Sequence, residues 1–190
     1  MKIGILGLQG DVREHARALD SAGVTPIVVK YPHEIADVDA MVVPGGESTT
    51  IGKLLDRFGL LQPLSARASS GMPLYGTCAG AILLARGIVG REDAQHRIPL
   101  MDIEVRRNAY GRQIDSFETD LDVSGLHESF RAVFIRAPVI ETSGRDVQVL
   151  AEHGGNPVLV RQGHLLASTF HPEMTGDDRV HRLFVEMMEK

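Results

Sequence analysis

Pro73-Leu74-Tyr75-Gly76-Thr77-Cys78-Ala79-Gly80-Ala81-Ile82-Leu83-Leu84-Ala85 packs three signals into thirteen residues. Pro73 to Tyr75 reads as a very short strand, Gly76 to Gly80 as a sharp turn, and Ala81 to Ala85 as the start of a buried helix. The turn has the Gly-x-nucleophile-x-Gly form of a nucleophile elbow, in which an abrupt strand-to-helix reversal projects one side chain over the edge of a sheet. With 20 glycines among 190 residues, glycine would flank the chain's one cysteine in this way by chance roughly once in a hundred sequences. A helix starting near Ala79 directs free N–H groups and its positive dipole end at the sulfur, which favours a thiolate and a developing oxyanion. A lone cysteine without that context is usually a small buried hydrophobe.

Upstream of the elbow, strand-like and helix-like segments alternate. Ile3 to Leu8 is a short apolar run ending at Gln9-Gly10, and Asp11 opens an amphipathic helix through Val12, Ala16 and Leu19 to Gly23. Thr25 to Lys30 and Asp39 to Val43 read as strands, while Thr49 to Phe58 and Leu60 to Ala68 have helical spacing. Such alternation predicts a parallel sheet with right-handed crossovers. After Gly87 the pattern changes to successive strands at Ile103–Val105, Ser116–Val123, Val133–Ala137, Val147–Glu152, Val158–Arg161 and Leu165–Phe170. Turns at His153-Gly154-Gly155-Asn156 and Gln162-Gly163 suggest antiparallel hairpins, and Arg179–Lys190 closes the chain as an amphipathic helix. The expected fold is α/β, a three-layer sandwich with a mainly parallel central sheet and an antiparallel extension, formed by residues 1–190 as one domain.

Composition narrows the function classes. Apolar residues make up 43% and charged residues 24%, values of an ordinary globular chain, and a chain of this length buries roughly 70% of its unfolded surface without disulfides or a structural metal. Lys plus Arg number 20 against 25 Asp plus Glu, for a net charge of −5, which argues against binding nucleic acid or anionic membrane. One cysteine excludes an internal disulfide and Cys-rich metal sites, and the eight histidines show no zinc-type pairing, so no metal is expected. The first residues, Met1 to Leu8, read as strand and not as a signal peptide, and the expected location is the cytoplasm. Gly4, Gly7 and Gly10 are spaced G-x-x-G-x-x-G instead of the dinucleotide G-x-G-x-x-G, and Lys30 stands where a ribose-binding acid belongs.

A cysteine nucleophile needs a base, and the base needs an orienting group. Phe170-His171-Pro172-Glu173 offers both: if the segment is extended, His171 and Glu173 point to one side. Pro44-Gly45-Gly46-Glu47-Ser48 follows another strand, leaves glycine N–H groups open, and could complete an oxyanion hole at Gly46 opposite Ala79; its structural alternative is a turn with Ser48 capping the next helix. Arg106-Arg107-Asn108 and Ile135-Arg136 bring cations suited to a carboxylate if they reach the site, and otherwise are surface charges.

Together the elbow, Pro44-Gly45-Gly46-Glu47-Ser48-Thr49-Thr50 and Phe170-His171-Pro172-Glu173 resemble the class I glutamine amidotransferases, whose fold is flavodoxin-like. More narrowly, Gly7-Leu8-Gln9-Gly10, Arg13-Glu14-His15, Arg107-Asn108, Gly111-Arg112-Gln113, Asp115-Ser116-Phe117-Glu118 and Phe134-Ile135-Arg136-Ala137-Pro138 resemble the glutaminase subunits of pyridoxal 5′-phosphate synthase, from Ile3 to about Met188. The resemblance implies hydrolysis of L-glutamine to L-glutamate and ammonia through a thioester on Cys78, with His171 and Glu173 as the relay. It implies glutamine binding by Gly46, Glu47, Ser48, Arg107, Ile135 and Arg136. Arg106 departs from the family pattern, which has an acidic residue there. A synthase subunit in a large ring-shaped assembly is implied as the partner that consumes the ammonia, with low activity in the isolated chain and no cofactor bound to it. Two competitors stand beside this reading: a glutaminase or thiol hydrolase serving another reaction, and a regulatory subunit with a vestigial site.

Overall fold

Apolar residues alternate in their destination along each central strand, and that alternation builds the core on two faces. In the computed structural model, which describes residues 1–90, 96–107 and 116–188, Ala40 and Val42 of strand β3 (Ala40–Val43) join one apolar cluster while Met41 and Val43 join the other. Strands β1 (Lys2–Leu6), β2 (Thr25–Val29), β4 (Leu74–Thr77), β10 (Gln148–His153), β11 (Asn156–Gln162) and β12 (Leu165–Ser168) complete a seven-stranded sheet in the order β10-β11-β12-β4-β3-β1-β2. From β2 to β12 every pair is parallel, and β10 and β11 extend the β12 edge antiparallel. Taking only the parallel strands, the order is that of flavodoxin-like sheets.

One face is covered by α2 (Ser48–Arg57), α3 (Leu61–Ser69), α4 (Ala79–Leu84) and a small sheet of β5 (Ala85–Ile88), β6 (Met101–Arg106) and β9 (Val139–Ser143). The other carries α1 (Val12–Ser21), α5 (Arg179–Glu186) and a ladder of β7 (Ser116–Leu121) with β8 (Phe130–Ile135). The expected α/β sandwich is therefore present, with corrections in its second half. Leu165–Ser168 does form a hairpin with β11, but it also pairs with β4 in parallel, so it belongs to the central sheet. Ala85–Ile88, whose apolar pattern continues the preceding helix, is a strand, and Val139–Ser143 is a further strand not read from the sequence. The Gly154-Gly155 turn has both φ angles positive, +58° and +79°, as a two-residue hairpin loop demands. Asn108, Gly111, Arg112, Gln113 and Asp115 of the resemblance motifs lie outside the described residues.

Register aligns the strand ends. Val43 pairs with Gly76 and Thr77 with Ser168, while the Cys78 N–H donates to the Ser168 carbonyl at 2.8 Å. The segments following β1, β3, β4 and β12 consequently emerge side by side at the carboxyl edge of the sheet, where open α/β folds place ligands.

Candidate active site

Cys78 occupies the segment after β4 with a backbone few residues tolerate. Its φ of 48° and ψ of −101° place an L-residue in a strained conformation at the junction of β4 and α4. The flanking glycines answer to tight contacts: a Cβ on Gly80 would collide with the Val43 carbonyl oxygen, and one on Gly76 would lie 2.6 Å from the Gly80 carbonyl carbon. The turn is tight because α4 folds back directly onto β3. The thiol, 7% exposed as a residue, reaches toward the Ile135 carbonyl at 3.8 Å.

His171 follows β12 and is fixed by its backbone N–H, which donates to the Val133 carbonyl of β8 at 2.8 Å. Its Nδ1 donates to Glu173 Oε1 at 2.7 Å, leaving the other edge of the ring for the cleft it shares with Cys78. The pairing expected from an extended chain is present, but by a different route. Pro172–Met174 is a 3-10 turn, and this turn, started by the proline, swings Glu173 back beneath the imidazole. Asp11 Oδ2 lies 3.4 Å from the same Nδ1. Burial opposes a charge on His171, yet hydrogen bonds to Asp11, Cys78 and Glu173 outweigh it and push the imidazolium up to about 12. The buried Glu173 carboxyl is pushed up by desolvation, countered by His171. Asp11, His171 and Glu173 each bring a ligand-type atom within 4.8 Å of the others, a grouping that their hydrogen bonds account for.

The Pro44–Ser48 loop faces this pair. Gly45 is packed so closely on the His171 ring that a Cβ there would strike Cε1. Gly46 has φ +140°, and the next N–H, of Glu47, donates to Gln9 Oε1 at 3.1 Å. Glu47, not Ser48, caps α2: its carboxylate accepts the Thr49 and Thr50 N–H groups at 3.1 and 2.7 Å and the Thr50 hydroxyl at 2.7 Å. Partial burial opposes its charge, but these donors hold it at about 2. Ser48 instead begins the helix, buried, with its Oγ unpartnered within the protein and its residue lining the cleft.

Across from the loop, Arg107 donates to Glu47 Oε1 at 2.9 Å and Thr49 Oγ1 at 3.1 Å. Arg106 points elsewhere and pairs with Glu141. Ile135 ends β8, and Arg136 follows at a φ of 45° that turns the chain along the site. Gly46, Glu47, Ser48, Cys78, Ala79, Arg107, Ile135, Arg136 and His171 thus line one cleft of about 640 Å³, with Glu173 behind His171. That volume suits a small polar ligand. Gln9, Asp11, Ile82 and Met174 also line it and were not singled out from the sequence, although Gln9 and Asp11 follow β1, where a sheet-edge argument points. A roomier cleft of about 780 Å³ between Asp120–Ser129 and Val149–Gly154 holds neither the cysteine nor the His171–Glu173 pair.

A family model described as the SNO glutamine amidotransferase family matches residues 5–190. A relative in Frankia casuarinae, pyridoxal 5′-phosphate synthase subunit PdxT, is 59% identical over 186 residues, covering 97% of this chain and 94% of the relative. The protein of the same name in Bacillus licheniformis is 50% identical over 190 residues, 100% of this chain and 96% of its own. A solved structure, described as the crystal structure of glutamine amidotransferase, superposes with a TM-score of 0.93 at 50% identity over 99% of both chains. PurLQS from Thermotoga maritima shares the fold at 15% identity, with a TM-score of 0.64 over 99% of this chain and 94% of that one.

Proposed function

The chain belongs to the SNO glutamine amidotransferase family, and from that premise we propose that it is the glutaminase subunit of a pyridoxal 5′-phosphate synthase, hydrolysing L-glutamine on Cys78 and passing the ammonia to a synthase subunit. The observation that carries the residue assignment is the placing of Cys78 and His171 on one cleft at the carboxyl edge of the sheet, with Glu173 hydrogen-bonded to His171 behind it. Cys78 gives its proton to His171 and attacks the side-chain amide carbon as the thiolate. The oxyanion so formed faces the N–H groups of Ala79, which has no intrahelical partner in the first turn of α4, and of Gly46. Collapse expels the amide nitrogen, which takes the proton from His171 and leaves as ammonia, with the acyl group on sulfur as a thioester. Water then gives a proton to His171 and attacks the thioester; glutamate departs, and the thiolate–imidazolium pair is restored. Glu173 holds the imidazole in orientation throughout.

The cleft carries both charges needed for an α-amino acid head group. Glu47 offers a carboxylate to the ammonium, and Arg107 and Arg136 offer guanidinium groups to the carboxylate. Ser48 Oγ, buried and unpartnered, and the Ile135 backbone complete the set. Glu47 and Arg107 bind each other at the rim of the cleft, so glutamine exchanges one ion pair for two. Pyridoxal phosphate is assembled on the partner subunit, and this chain holds no cofactor. The subunits form a ring-shaped hetero-oligomer in which docking organises the Gly46 loop, so the isolated chain is a weak glutaminase. Among the described residues no helix is long and apolar enough to cross a membrane, and the cytoplasm is the proposed location.

Cys78→Ala tests the assignment. Ammonia release by the complex with the synthase subunit is expected to vanish while glutamine still binds; near-normal turnover by the variant would sink it.

A further inference from the structure

Behind the relay lie two histidines that the mechanism leaves idle. His15 of α1 and His181 of α5 are both 0% exposed. Their rings meet at His15 Nδ1 and His181 Nε2, 3.0 Å apart, and the opposite edge of His15 places Nε2 3.2 Å from Thr77 Oγ1 and 3.5 Å from Glu173 Oε1. Two polar rings in an apolar layer cost stability that two leucines would not.

Their tautomers follow from what each nitrogen meets. His181 Nδ1 is buried with no partner. An orphaned N–H costs more than an orphaned lone pair, so the His181 proton sits on Nε2 and is donated to His15 Nδ1. His15 must then carry its own proton on Nε2, directed between the Thr77 hydroxyl and the Glu173 carboxylate. Burial keeps both imidazoles neutral, pushing His15 well below the ordinary histidine value and His181 down to about 4. Glu173 needs that donor. Its Oε2 has no partner, so the side-chain donors all approach Oε1, His171 Nδ1–H at 2.7 Å on one side and His15 Nε2–H at 3.5 Å on the other.

We propose that His15 is a positioning residue for this reaction, keeping the Glu173 carboxylate ionised and aimed at His171, and that His181 fixes the tautomer in which His15 does so. The inference rests on the glutaminase reading given above. The titratable groups around Glu173 include His171 on its own segment, Asp11 and His15 at α1, Tyr75 on β4, Cys78 through His171, and His181 through His15, while Glu14, Arg17, Asp177 and Asp178 line a separate cleft along its turn. Of these, His15 alone supplies a neutral donor to the side away from the cleft.

The test compares His15→Leu with His15→Gln, whose amide N–H reaches the place of Nε2–H, in the complex with the synthase subunit and beside the wild type. In H15L, kcat is expected to fall tenfold or more with KM within twofold, and the acid limb of the kcat profile to move to higher pH, because a carboxylate without its donor ionises later. H15Q is expected to recover kcat to within threefold and to restore the limb. Wild-type kcat and acid limb in H15L, or equal losses in H15L and H15Q with unchanged melting temperatures, overturn the proposal. Should H15L not fold, His15→Asn replaces it. Its shorter amide serves the His181 side, so it should show the H15L loss, and activity matching H15Q overturns the proposal. A wild-type complex that releases no ammonia removes the glutaminase reading itself, and this inference with it.

Discussion

Two carboxylates compete for one proton at His171 Nδ1, and their surroundings decide between them. Glu173, buried and 2.7 Å away, holds the N–H, while Asp11, partly exposed at 3.4 Å, shares it at longer range. A partly solvated pair of this kind is worth about 1 kcal/mol or less. Asp11→Asn is therefore expected to lower kcat less than tenfold and to move the alkaline limb of the profile to lower pH, since one of the groups holding the imidazolium is gone. Glu173→Gln removes the orienting charge at the buried position and should lower kcat by about a hundredfold or more. Steady-state ammonia release across pH separates the two. The reverse ranking would mean that the cleft-side carboxylate is the true orienting group.

At the scale of elements, the elbow depends on a contact that no local pattern contains. Gly80 is glycine because α4 lies on the Val43 carbonyl of β3, more than thirty residues earlier in the chain. Gly80→Ala must push helix from strand, at a cost of roughly 1–3 kcal/mol, and shift Cys78 with it. Gly23→Ala is the contrast: its φ of +84° is strained, but nothing lies within 4 Å, so about 1–2 kcal/mol of backbone strain is expected with normal turnover. Thermal melts and ammonia release on both variants check the difference; an active, stable G80A would show that α4 has room to move. The same distinction governs what could be read from sequence. Gly76-x-Cys78-x-Gly80, the Gly154-Gly155 hairpin and the strand–helix alternation are local signals, and they lead to the right elements. Ala85–Ile88 carries no local strand signal, since its extended conformation comes from pairing with Met101–Val105, and Pro172–Met174 looked extended because a 3-10 turn of three residues leaves no period. Gln9, Asp11 and Met174 reach the cleft through sheet register, and His15 meets Glu173 only because α1 packs on the turn after β12.

For the molecule as a whole, the buried histidine pair couples the far side of the sheet to acid. His181 has an ordinary value of 6.5 when unfolded and about 4 when folded, so it adds stability that is full above pH 6.5 and lost as pH falls through about 4. That difference amounts to about 3 kcal/mol at most, and His15, shifted the same way by burial, adds to it. His171 does not offset the loss. Its value rises on folding, so its contribution is complete below pH 6.5 and disappears only as pH passes about 12. Glu173, raised by burial, works in the opposite sense, since its protonation in acid relieves a cost of folding. A difference experiment isolates the histidine. Urea unfolding of the wild type and of His181→Gln at about pH 7 and about pH 4.5 should show the wild type losing more stability, with a gap of roughly 1–3 kcal/mol closing between the two proteins. The remaining fall in the variant belongs to His15 and to the ion-paired carboxylates, among them Asp177 and Asp178. Equal losses in both proteins would mean that His181 takes up its proton without leaving the fold, and that the space between α1 and α5 admits a charge.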